Sequence, residues 1–131
     1  MIIKEYQLNE VIKKGSYPPF LLVFGPNEGL IRDDILKICS SFKEDLETDE
    51  ITINGKALDE NYSLIDEEIR SFSMFSEKKI IHLENLKEKH LQYFENQKIE
   101  NDKILVIIKS DNLNKSSKIR NFFEKHKKYA A

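Results

Sequence analysis

Two uninterrupted apolar runs constrain the fold of this chain more than any other feature. The first, FLLVF at residues 20–24, lies between Pro18-Pro19 and Gly25-Pro26, and the second, ILVII at residues 104–108, contains no polar residue. Short apolar runs bounded by turn residues are typical of strands that are buried on both faces. Both runs therefore predict interior strands of a sheet that is covered by helices on its two sides.

The segments around these runs carry the spacing of amphipathic helices. Cys39 lies beside the first apolar stripe, and the last helix carries Lys115, Lys118, Lys125 and Lys128 on its outer face. A weaker helix is predicted around Leu86, His90, Tyr93 and Phe94. The three stronger stripes consist of Ile31, Ile35, Ile38, Phe42 and Leu46; of Leu58, Tyr62, Ile65, Ile69 and Phe72; and of Ile119, Phe122, Phe123 and His126.

Two further strands complete an alternating order of strand and helix. Residues 51–53 form a short β-branched segment that ends at Asn54-Gly55, and residues 79–83 form the other strand. Four strand–helix units in strict alternation predict an α/β fold with three layers, a parallel sheet and right-handed crossovers. Because such sheets bind ligands at the carboxyl ends of their strands, the loops after residues 24, 83 and 108 are the first places to look for a site.

The loop after the first strand resembles a phosphate-binding loop only in part. It reads Gly25-Pro26-Asn27-Glu28-Gly29-Leu30-Ile31-Arg32 and leads into a helix. The motif GxxxxGK[ST] needs a Lys for the phosphates and a hydroxyl for Mg²⁺, and this loop supplies neither. Glu28 also places a negative charge where a phosphate would lie. A tight strand-to-helix turn is therefore the favoured interpretation, and an ATPase with an atypical loop is the alternative.

Composition and the remaining motifs exclude most other chemistry. The chain has 131 residues, enough for one domain, and its net charge of −2 excludes a strongly basic nucleic-acid module. No HExxH or GxSxG motif is present. The single cysteine provides neither a disulfide nor a metal framework, which favours a reducing, intracellular location. Neither a signal peptide nor a membrane-spanning run is predicted. The sequence thus predicts no catalytic residues, no metal and no cofactor.

The charge is distributed unevenly along the chain. Residues 44–68 carry ten acidic side chains and one basic one, whereas residues 103–131 carry eight basic and two acidic ones. The acidic stretch fits either a solvated face or a surface for a basic partner. The basic end fits either solvated lysines or a contact with a DNA backbone, for which Lys115 and Lys118 are the candidates.

An apolar pair lies off the stripe of the second helix, at the corner before the next strand. In Ser71-Phe72-Ser73-Met74-Phe75-Ser76, Met74 departs from the helical spacing and charged residues follow at once. The pair either closes the bottom of the core or inserts into a partner. Burying two such side chains in a partner would contribute on the order of 3–6 kcal/mol.

Three features of the sequence together resemble the N-terminal domain of the delta subunits of bacterial DNA polymerase III, which belong to the clamp loader. They are the strand-GPNEGLIR-helix opening, Ser73-Met74-Phe75 before a strand, and the strand at 104–108 followed by Asn112-Leu113-Asn114-Lys115-Ser116-Ser117-Lys118-Ile119-Arg120. The resemblance covers essentially the whole chain. It implies a P-loop NTPase-like, AAA+-like domain over residues 1–131 that has lost nucleotide binding. The lid and collar domains of the family are absent from the sequence, so a domain fragment is expected.

The resemblance also implies a function and its site. Met74 and Phe75, with Phe72 and Ser73 beside them, match the family element that binds the β sliding clamp and promotes ring opening. The implied partners are the clamp, the delta prime and tau/gamma subunits and primed DNA, in the bacterial cytoplasm. The chain itself would be a non-catalytic part of a nucleotidyltransferase holoenzyme.

Overall fold

The computed structural model describes residues 20–24, 28–44, 46–61, 63–70, 77–93, 103–110, 117–125 and 129–130. Strands and helices alternate through most of this part of the chain, as the sequence predicts. The strands are β1 (Phe20–Phe24), β2 (Thr48–Asn54), β3 (Lys78–Glu84), β4 (Ile104–Ser110) and β5 (Tyr129–Ala130). The helices are α1 (Glu28–Lys43), α2 (Gly55–Glu60), α3 (Leu64–Arg70), a 3₁₀ helix (Glu88–Tyr93) and α4 (Lys118–Lys125).

The strands form one sheet in the order β2-β3-β4-β1-β5. Each adjacent pair is parallel. The four longer strands are the four predicted from sequence, and β5 adds two residues beside β1. The predicted α/β fold with a parallel sheet is confirmed.

Alternating side chains of β4 supply both faces of the sheet. Ile104, Val106 and Ile108 pack into one core with residues of α2, α3 and α4. Leu105 and Ile107 pack into a second core against the inner side of α1. Helices therefore cover both faces, which explains why the β4 sequence shows no polar alternation.

The first helix ends earlier than the apolar stripe predicts. Ile31, Ile35, Ile38 and Phe42 are buried and so is Cys39, as expected, but Leu46 lies beyond the helix and is 39% exposed. Glu44 has a positive φ of 47°, which turns the chain away from the helix. The Lys78 ammonium donates to the carbonyl oxygen of Phe42 and places a positive charge at the helix carboxyl end. Including Leu46 in the helix was wrong.

The predicted second helix is two short helices. Asn54 caps α2 by accepting the Lys56 N–H at 3.0 Å, and α2 ends before Asn61. The Asn61 side chain then accepts the Ser63 N–H at 3.2 Å, directly before α3. These side chains bind backbone groups that a continuous helix would pair internally. The spacing of Leu58 and Ile65 suits both arrangements because both residues are buried in the same core.

The two remaining predicted helices are described only over part of their patterns. The segment around Leu86 and His90 contains a 3₁₀ helix rather than an α-helix. In α4, Ile119 is buried and Phe122 is partly buried against the same core. Phe94, His126 and the side chain of Phe123 lie outside the described residues.

Candidate binding cleft at the carboxyl ends of the strands

A cleft of about 510 Å³ opens at the carboxyl ends of β3 and β4, beside the start of α1. The segments that follow residues 24, 83 and 108 all contribute to its walls, as the sheet topology predicts. Its lining consists of Glu28, Glu84, Asn85, Leu86, Lys87, Lys109 and Ser110.

The charges in this cleft are balanced. Glu28 and Glu84 bring two carboxylates, and Lys87 and Lys109 bring two ammonium groups. These two lysines were not predicted as site residues from the sequence, although each follows a predicted strand closely. Glu28 lies in the first turn of α1, where the backbone N–H groups would otherwise favour an anion. Two like charges about 4 Å apart repel by roughly 4 kcal/mol at an effective dielectric near 20. The described lining suits a small polar or zwitterionic group better than a polyphosphate.

Only part of the predicted phosphate loop can be compared with this geometry. Glu28 is exposed and Gly29 is half-buried, both within α1. Gly25, Pro26 and Asn27 lie outside the described residues. With the motif aligned from Gly25, the position that a phosphate-loop lysine would take is occupied by the apolar Ile31, which is buried.

The wall that follows β3 is held by close backbone packing. Asn85 has a positive φ of 56°, so the chain turns sharply after the strand. This turn lies directly on Gly55, the first residue of α2. A β-carbon on Gly55 would overlap the carbonyl oxygen of Asn85 and lie 3.2 Å from the His90 ring. The close packing of this wall against α2 therefore requires a residue without a side chain at position 55.

His90 forms hydrogen bonds with both segments that meet at this wall, the segment after β3 and α2. Its ring is fully buried, and its Nδ1 accepts the backbone N–H of Lys87 at 2.9 Å. The ring hydrogen therefore lies on Nε2, which donates to Asp59 at 2.8 Å. Together with a hydrogen bond from Lys89, this bond holds the pKa of the Asp59 carboxyl below its ordinary value. His90 thus has a positioning role that its place on an apolar stripe did not indicate.

The family model of the DNA polymerase III delta subunit matches residues 21–130. This range includes every described element except the first residue of β1. The chain belongs to the DNA polymerase III delta subunit family. The resemblance inferred from the sequence is thereby confirmed, and it implies a role in clamp loading during DNA replication. No curated protein sequence matches the chain.

The proposed clamp-binding residues of this delta-family chain fall between two described elements. Phe72, Ser73, Met74 and Phe75 lie outside the described residues, in the connection from Arg70 at the end of α3 to Lys78 at the start of β3. Parallel strands begin at the edge of the sheet opposite to their carboxyl ends. The described start of β3 therefore lies at the end of the sheet opposite to the cleft.

The proposed DNA contacts of this delta-family chain are also only partly described. Lys118 is exposed at the first position of α4, whereas Lys115 lies outside the described residues. Among the described helices, none is long and apolar enough to cross a bilayer.

Cys39 is buried, and burial together with the charge of Glu50 raises the pKa of its thiol to about 11. A thiol with this pKa stays protonated at neutral pH, which disfavours nucleophilic catalysis at Cys39.

Proposed function

We propose that this chain is an AAA+-like clamp-binding domain that opens the β sliding clamp without hydrolysing nucleotide. The observation that carries the proposal is the family match, which spans both the altered phosphate loop and the Met74–Phe75 segment. The parallel α/β sheet with helices on both faces is compatible with an AAA+-like origin. The balanced charge of the cleft supports the loss of nucleotide binding.

Met74 and Phe75 form the anchor in this proposal, with Phe72 and Ser73 at its rim. A small apolar anchor within a polar surround is the usual composition of a binding hot spot. Ser71, Ser76 and Glu77 provide such a surround in the sequence. Both anchor residues insert into an apolar pocket of the clamp, and the buried area supplies most of the binding free energy.

Ring opening then follows from differential affinity. If the domain binds an opened ring more tightly than a closed ring, binding shifts the population of rings toward the open form. This step requires no chemistry in the chain itself. In the assembled loader, ATP is bound by other subunits and regulates access to the anchor.

The direct test is a titration of the 131-residue chain with the β clamp of the same organism. We expect Met74→Ala/Phe75→Ala to weaken binding by roughly a hundredfold or more, because two large apolar contacts are lost. The double variant Leu30→Ala/Leu36→Ala is the matched control, since both leucines are exposed on α1. Circular dichroism verifies that both variants fold. Equal affinity of the wild type and the Met74/Phe75 variant would assign the clamp site elsewhere.

A second proposal concerns primed DNA. Lys118 is exposed at the start of α4, Lys103 is exposed directly before β4, and Lys109 is exposed near the carboxyl end of β4. These positive charges support a contact of this region with a phosphate backbone. The logarithm of the DNA affinity falls linearly with the logarithm of the salt concentration. If Lys115 and Lys118 each neutralise a phosphate, replacing both by alanine makes this fall shallower, reducing the magnitude of the slope by about 2. An unchanged slope would remove these two lysines from the DNA contact.

A further inference from the structure

Three side chains with metal-binding atoms converge beneath α1, at the β2 edge of the described sheet. The Sγ of Cys39, a carboxylate oxygen of Glu50 and a ring nitrogen of His82 all lie within 4.8 Å of one another. Cys39 is buried, His82 is partly buried and Glu50 is exposed, so the cluster extends from the core to the surface. None of the three residues lines the cleft.

The register of two neighbouring strands creates this arrangement. Glu50 of β2 pairs with Ile80 of β3, and His82 lies two positions further along β3. Ile51, Ile53, Ile81 and Leu83 face the core on the other side of the sheet. Glu50 and His82 therefore point toward the α1 face, with their Oε1 and Nε2 atoms 3.3 Å apart. Cys39 reaches the same place from the inner side of α1.

The donor set is that of a borderline-soft divalent metal. Thiolate, imidazole and carboxylate are the three ligand types of Zn²⁺, and sites with three protein ligands keep a fourth position for water. Metal–ligand distances of about 2.0–2.3 Å place tetrahedral donors about 3.5 Å apart, so shifts of about 1 Å complete the site. Mg²⁺ and Ca²⁺ prefer sites built entirely from oxygen atoms and do not fit this set.

We propose that Cys39, Glu50 and His82 bind a divalent transition metal ion of the Zn²⁺ class. On binding, the Cys39 S–H bond breaks, the sulfur forms a bond to the metal, and the proton passes to solvent. Lys43 lies 2.6 Å from Oε2 of Glu50 and leaves Oε1, the oxygen nearest His82, for the metal. An outer partner of this kind orients a ligating carboxylate. One cysteine is sufficient for this metal site because the other two ligands, Glu50 and His82, are supplied by β2 and β3.

Cobalt(II) is the probe that tests this site in the 131-residue chain. Since Cys39 is the single cysteine of the sequence, a thiolate-to-Co²⁺ charge-transfer band assigns the sulfur ligand without ambiguity. We expect a saturable band at one Co²⁺ per chain that disappears when Zn²⁺ is added. Cys39→Ser removes the band, and His82→Gln and Glu50→Gln each weaken Co²⁺ affinity about tenfold or more. Glu47→Gln is the control, because Glu47 is an exposed acid just before β2.

Two results would overturn the proposal. One is the absence of a charge-transfer band in the wild type at millimolar Co²⁺, which would leave Lys43, Glu50 and His82 as a charge network beside an inert thiol. The other is an equal affinity in the wild type, His82→Gln and Glu50→Gln, which would indicate adventitious binding to sulfur alone. His82 and Glu50 are both accessible to solvent, so their variants give a result even if Cys39→Ser does not fold.

Discussion

The Nε2 nitrogen of His90 donates to the Asp59 carboxylate across 2.8 Å and thereby joins the 3₁₀ helix to α2. The histidine is fully buried, while the side chain of Asp59 is 35% exposed. One end of this bond is therefore fixed in the core and the other can exchange protons with solvent. The segment between β3 and the 3₁₀ helix, which forms one wall of the cleft, depends on this junction.

Acid should weaken the junction in a defined pH range. Hydrogen bonds from His90 and Lys89 lower the pKa of Asp59 from its ordinary value of 3.8. A carboxyl whose pKa is lower in the folded chain stabilises the fold at neutral pH, and this contribution is lost as the pH falls through the folded-state value. We expect Asp59→Asn to be less stable than the wild type at neutral pH and to lose less stability below about pH 4. Urea unfolding at a series of pH values measures this difference.

The matched control for this pH series is Asp33→Asn, since Asp33 is an exposed aspartate of α1. Its pH dependence should follow that of the wild type. Identical acid profiles for Asp59→Asn and Asp33→Asn would show that the negative charge of Asp59 does not contribute to the pH dependence of stability.

Gly55→Ala should destabilise the chain although the change is a single methyl group. The added β-carbon would overlap the carbonyl oxygen of Asn85, so backbone must move on one side of the contact. Overpacking of this kind costs about 1–3 kcal/mol. Thermal unfolding of Gly55→Ala beside Lys56→Ala measures the effect, because Lys56 is the exposed neighbour in the same helix. A Gly55→Ala variant as stable as Lys56→Ala would contradict the close packing of this wall.

The buried Lys79 gives a prediction about charge pairing. Its side chain is 1% exposed, and its ammonium lies 2.9 Å from Glu68 and 3.9 Å from Asp49. Glu68→Gln removes the closer negative charge and leaves the ammonium less well compensated, which should cost about 2 kcal/mol. Chemical denaturation checks this value, with Glu60→Gln as a control at an exposed position.

The double variant Lys79→Met/Glu68→Gln separates the pairing from other effects of the glutamate. Because it removes both charges together, it should unfold less readily than Glu68→Gln alone. If the double variant is the less stable of the two, the contribution of Lys79 is due to its packing rather than to its ion pair.

Magnesium-ATP should not bind in the cleft between β3, β4 and α1. Glu28 and Glu84 offset Lys87 and Lys109, and the loop after β1 supplies neither the lysine nor the hydroxyl that a phosphate loop requires. Isothermal titration with magnesium-ATP and magnesium-ADP is expected to give only heats of dilution. Saturable heat in the wild type that is lost in Lys87→Ala/Lys109→Ala would establish a nucleotide site and restore the ATPase alternative.

The strands could be predicted from the sequence because their signal is local. An uninterrupted run such as 104–108 must be covered on both sides, and the structure places Leu105 and Val106 in different cores. Helix boundaries were harder, since apolar spacing does not distinguish one helix from two that bury the same face. The polar residues Asn61 and Ser63 carried the missing information, as both can cap a helix.

The sites could be predicted less well because they depend on distant parts of the chain. The loops at the cleft followed from the parallel order, but the balance of charge required Lys87 and Lys109 to meet Glu28. The grouping of Cys39, Glu50 and His82 depends on which strands are neighbours and on their register. Neither property is encoded in a local pattern, which is why no metal site was predicted from the sequence.

The position of β1 affects how the chain is synthesised and folds. Phe20 of β1 pairs with Val106 of β4, so the first described strand leaves the ribosome long before its partner. Until β4 emerges, the apolar FLLVF segment has no ladder to join, and contacts of such large sequence separation form slowly. Nascent chains that stall before residue 104 would therefore expose this apolar segment to association with other chains.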